Sequence, residues 1–140
     1  MNVRDRAHFD ALVDEIVAGF PAEIRSLFDE TPLLVDDAPT QEMMRHLGLD
    51  SRNSILCGLH SGIPLTERTV LAGDQMPDVI HIFREGIVQA AGGWKAVGVR
   101  NHEAVGGEEA VAREIRITIL HELGHHFGLD EDDLAALGYG

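Results

Sequence analysis

At 140 residues the chain has the length of one folded unit around one self-supporting core. Its 44% apolar and 25% charged residues exclude a disordered chain, and no stretch approaches the roughly 18 apolar residues of a membrane span. A net charge of −13 excludes nucleic acid as the main partner, because duplex binding depends on Lys and Arg neutralising phosphates.

The first ten residues, Met1 to Asp10, are charged from the start and lack an apolar leader core, which with the single cysteine points to the cytoplasm and away from membranes. Cys57 has no second cysteine to pair with and is expected as a small buried hydrophobe. Phe9, Leu12, Val13, Ile16, Val17 and Phe20 recur at the spacing of an amphipathic helix. Pro21 suits the start of a second short helix carrying Ile24, Leu27 and Phe28, and Pro32 ends it. Leu33 to Val35 reads as a brief strand before the turn at Asp36 and Asp37.

Gln41 to Leu47 is expected as a short helix closed by Gly48, and Asp50 to Gly62 as a loop. Asp78 to Arg84, with Val79, Ile80, Ile82 and Phe83 around His81, reads as a mostly buried strand. A helical turn near Ile87 to Ala91 should lead into a mobile surface connection, since Gly92, Gly93, Gly98, Gly106 and Gly107 interrupt that stretch. From Glu108 and Glu109, acids suited to the positive end of a helix dipole, a helix should run to about Phe127 and stop at Gly128. A last short helix is expected over Glu131 to Leu137.

On that long helix His121, Glu122 and His125 form HExxH. Two histidines four residues apart lie on one face, close enough to share an ion, and the helix C-terminus favours a cation there. Zinc at a catalytic site takes three protein ligands and leaves a position for water. The third ligand requires the chain to reverse, and Gly128 provides the turn. Among the acids that follow, Asp130 with Asp133 has the pattern of a helix cap, with Leu129 and Leu134 placed as a hydrophobic staple. Glu131 is therefore the first choice as third ligand and Asp130 the alternative.

The run His121-Glu122-Leu123-Gly124-His125-His126-Phe127-Gly128-Leu129-Asp130-Glu131 resembles the HExxHxxGxxD signature of the minimal zincin-like metallopeptidases. A second stretch, Gly58 to Arg68 followed by Met76-Pro77-Asp78 and the strand, is similar to that family's G-x-P-L-T-E-R segment. Ala96 to Gly107 is longer than usual for the family, and Glu131 stands where the family has Asp. The resemblance implies a compact zincin-like α/β (α+β) fold, with helices packed on a small mixed sheet whose edge strand can bind an extended substrate. It implies one Zn2+ held by His121 and His125, and Glu122 as the base.

The function expected is zinc-dependent hydrolysis of peptide bonds by a metal-activated water, with a peptide or protein as substrate. Tyr139 and His126 are candidates to donate to the oxyanion or to support the ligands, while packing on the core is the readier expectation for Tyr139 and a surface position is also open to His126. Thr66, Glu67 and Arg68 could line the cleft or buttress the fold. The alternative is a non-catalytic zincin-fold module that binds a protein partner through its sheet edge, its metal site weak or vacant. A homodimer through an exposed sheet edge also stays open.

Overall fold

The computed structural model describes residues 1–46, 48, 56–61, 79–130 and 132–133. Helix α1 (Val3–Ala18) opens with Asn2 as its cap, whose side chain accepts from the Asp5 amide at 2.7 Å. Its apolar stripe buries Phe9, Leu12 and Val13. The chain then turns through Phe20 into α2 (Ala22–Arg25) and a 3-10 turn (Ser26–Asp29), started by Pro21 as its sequence requires.

Three strands follow at wide separations: β1 (Leu33–Asp36), β2 (Gly58–Ser61) and β3 (Val79–Phe83). They form one sheet in the order β1-β3-β2, with β1 parallel and β2 antiparallel to β3. This is the small mixed sheet expected. Between β1 and β2 lies α3 (Gln41–His46), followed by Gly48 in the left-handed conformation (φ +68°). Strand β3 is the central one and carries burial on both faces. Ile80 and Ile82 are fully buried in the core, while His81 and Phe83, on the opposite side, stack with ring centroids 5.9 Å apart.

Helix α4 (Arg84–Ala91) begins directly after β3, so the helical turn expected near Ile87 is a longer helix whose first turn is hidden by Gly86. Two other expectations are corrected. Residues 50–62, expected as a loop, contain β2, a strand whose hydrogen bonds come from β3 far along the chain. The stretch expected as a mobile connection holds a two-stranded hairpin, β4 (Gly98–Arg100) and β5 (Glu103–Val105). Asn101 (φ +52°) and His102 (φ +66°) turn it, the pair of positive φ angles that matches strand twist in two-residue hairpins.

Helix α5 (Glu108–Phe127) is the longest described element. It buries Ala110, Val111, Ile115, Ile119 and Leu123 completely, and it packs against α1, α4, β2 and β3. A helix enclosed on several sides needs no single apolar stripe. Its start is pinned to α1: His8 bonds Glu108 at 2.7 Å and stacks on Trp94 at 4.5 Å. The same half of α1 is also tied by charge. Arg84, nearly buried, donates to Asp10 of α1 at 2.9 and 3.0 Å and to Asp37 at 2.9 Å, and Arg6 also donates to Asp37. The Arg6 hydrogen bonds come first, with Arg84 adding to them against the cost of burial. Together they hold the Asp37 carboxyl at about 2, below its ordinary value.

Candidate metal site

The last two turns of α5 carry His121, Glu122 and His125. One ligand atom from each lies within 4.8 Å of the others, and the two imidazoles are 4.2 Å apart at a tilt of 60°. This follows from helix geometry, because residues four apart sit one turn above each other. Both histidines are exposed whereas Glu122 is buried at 8%. The rings therefore face the surface from which an ion would arrive, and the carboxylate stands behind them. The two imidazole nitrogens, converging at the negative end of a helix dipole, fit two of the ligands of a zinc ion in donor chemistry and in spacing, with the Glu122 carboxylate beside them.

Gly128 ends the helix in the left-handed conformation (φ +67°), and the chain folds back as expected. The Leu129 amide donates to the Gly124 carbonyl at 2.8 Å. A side chain at position 124 would meet the Leu129 carbonyl oxygen at 2.9 Å, so the glycine inside the motif lets the returning chain lie close to the helix. Asp130 and Asp133 form the expected cap: the Asp133 amide donates to Asp130 Oδ1 at 2.8 Å and the Asp130 amide to Asp133 Oδ2 at 3.0 Å. The Asp130 carboxylate thus has a structural partner.

Glu131, Leu134 and Tyr139 lie outside the described residues, as do Thr66, Glu67 and Arg68. Of the last helix expected over Glu131–Leu137, Asp132 and Asp133 are described and are helical. His126 is described, and the surface position left open for it is excluded. It is only 4% exposed, and its Nε2 lies 3.2 Å from the hydroxyl of buried Thr31, just before β1. One turn of α5 therefore presents His125 outward and anchors His126 inward to the start of the sheet.

Sequence reasoning missed the surroundings of Glu122. Glu114, Thr118 and Glu122 succeed each other at four-residue intervals on α5, and Thr118 is buried at 7%. That line was legible in the helical spacing. The strand lying against it was not: β2 begins at Gly58, where a Cβ would stand 2.8 Å from Thr118 Cγ2, 3.0 Å from Glu122 Cγ and 3.2 Å from the His81 carbonyl oxygen. Cys57, expected to be buried, is half-buried beside this strand and packs against the edge of the core. Burial pushes its thiol up, with Glu114 and Glu122 acting in the same direction, so at neutral pH it is a protonated thiol.

No helix among the described residues is long and apolar enough to cross a membrane. No curated protein matches the chain. A family model described as zincin-like metallopeptidase matches residues 28–140, a span that contains the sheet and the whole of α5 and begins after α1. With the HExxH cluster on α5 and the helices packed on a small mixed sheet, the chain belongs to the zincin-like metallopeptidase family.

Proposed function

We propose that this protein is a zinc-dependent peptidase in which His121, His125 and Glu131 hold one Zn2+ and Glu122 is the general base. The observation that carries the reading is the convergence of His121, Glu122 and His125 within 4.8 Å, in a chain whose family is that of metallopeptidases. Zinc, when bound, supplies the Lewis acidity that makes a water molecule and a peptide carbonyl reactive at neutral pH.

The remaining chemistry belongs to the side chains. Glu122 is one residue from one ligand and three from the other, so its carboxylate can take the proton of the attacking water and return it to the departing amine nitrogen. Its burial at 8% shields that transfer from bulk water. Glu131 is preferred over Asp130 because the Asp130 carboxylate already caps the next helix turn.

The test is zinc content and cleavage of a mixed quenched-fluorescence peptide library by the wild type and Glu122→Gln. The variant should keep near-stoichiometric zinc and lose about 10²- to 10⁴-fold in turnover, the usual contribution of general acid–base catalysis. Full turnover in Glu122→Gln would remove Glu122 from the mechanism. A zinc-loaded wild type that cleaves no peptide would favour a protein-binding role for the same fold.

A further inference from the structure

The first residue of β2 stands against the carbon chain of the residue assigned as base, and we propose that Gly58 is a positioning residue for Glu122. The inference rests on the peptidase reading above and adds to it the wall that seats the carboxylate. A helix fixes where Glu122 starts, but its side chain has several torsions and staggered choices for each. What selects among them is the packing around the Cγ carbon.

On one side that packing is the α5 neighbour Thr118. On the other it is the β2 backbone at Gly58, close enough that an added Cβ would lie 3.0 Å from Glu122 Cγ and 2.8 Å from Thr118 Cγ2. Neither is the loose end of a flexible side chain. Thr118 is β-branched with restricted χ1, and Glu122 is gripped in mid-chain. The strand cannot retreat freely either, since the same Cβ would meet the His81 carbonyl oxygen of β3 at 3.2 Å and Cys57 accepts from the Phe83 amide at 2.8 Å.

A second glycine sets the strand's approach. Gly86 of α4 leaves the space taken by the Leu56 carbonyl oxygen, which an added Cβ would meet at 2.1 Å. The lead into β2 is thus threaded between α4 and α5 through two missing side chains. The sheet, held through Gly58, restrains the base, while the histidines on the exposed face of α5 are free of that contact.

Two measurements test this. The first needs neither metal nor activity: in the metal-free wild type a nuclear Overhauser effect should connect the Gly58 α-protons with the Glu122 γ-protons, and its absence would overturn the proposal. The second compares wild type and Gly58→Ala, both zinc-loaded, on the peptide library. Zinc stoichiometry and KM should hold while kcat falls about 10-fold or more, as expected when a reacting group is displaced by a fraction of an ångström.

Adding Thr118→Ser to Gly58→Ala removes the nearest clashing carbon and should restore part of kcat. Unchanged kcat in folded Gly58→Ala, or loss of zinc in parallel with activity, would overturn the positioning role. Should Gly58→Ala fail to fold, the double variant takes its place in the comparison. A wild type that shows the Overhauser contact, holds zinc and cleaves nothing would instead sink the peptidase reading, and with it the catalytic meaning of the contact.

Discussion

The two walls of the candidate site are built by different means. The α5 wall carries His121, Glu122 and His125 on consecutive turns of one helix, so their spacing depends on local hydrogen bonds and survives as long as the helix does. The β2 wall depends on a strand paired with β3 and on two glycines that let it approach. The proposed donor atoms are therefore set locally and robustly, whereas the setting of the proposed base is decided at long range. Damage to one wall should remove the metal. Damage to the other should leave the metal and weaken the chemistry.

The largest effect should come from the helical wall. His125→Ala should lose stoichiometric zinc and all peptide cleavage, with affinity falling by more than the roughly 100-fold that loss of a supporting group costs. Metal analysis after dialysis and a zinc titration check this, and stoichiometric zinc in the variant would break the assignment. On the opposite wall, Gly86→Ala places a carbon against the Leu56 carbonyl and should destabilise the protein by about 1–3 kcal/mol, as overpacking does. Its zinc per folded molecule should be unchanged and its turnover reduced, readable by thermal melting alongside metal content.

Thr31→Val sharpens the contrast at the junction of the walls, because it removes the hydroxyl beside His126. A loss of about 1 kcal/mol is expected for that bond, or about 2–4 °C in melting temperature for a chain of this size. The smallest effect on the site concerns the ion-pair cluster that ties α1 to α4. Asp37 has a folded pKa of about 2, below its ordinary value, so the stability it contributes is present above that ordinary value and is lost as pH falls toward about 2. The melting difference between wild type and Asp37→Asn should therefore close as pH drops from about 5 to about 2, with zinc binding at neutral pH unaffected. A constant difference across that range would disconnect the ion-pair cluster from the acid response.

The hairpin and β2 show why two segments escaped the sequence reading. Both are glycine-bearing, and glycine lowers the propensity of a strand without forbidding it. The hairpin did leave a trace: Val97 and Val99 alternate toward Asn101, a residue suited to the left-handed turn position. For β2 no comparable local trace exists, since its pairing partner lies about twenty residues away and its glycine matters through what it touches.

The amino-acid sequence by itself determined the elements whose stability is written at short range. These are α1 with its apolar stripe, β3 with its β-branched run, α5 from its acidic start to Gly128, and the reciprocal Asp130–Asp133 cap. It also determined the HExxH spacing, because four residues make one helical turn whatever surrounds it. The tertiary structure decided the rest: that His126 turns inward to Thr31, that β2 joins β3, and that Gly58 lies against Glu122. Those are contacts between residues far apart in the chain, and their distances depend on how whole elements pack rather than on any local repeat.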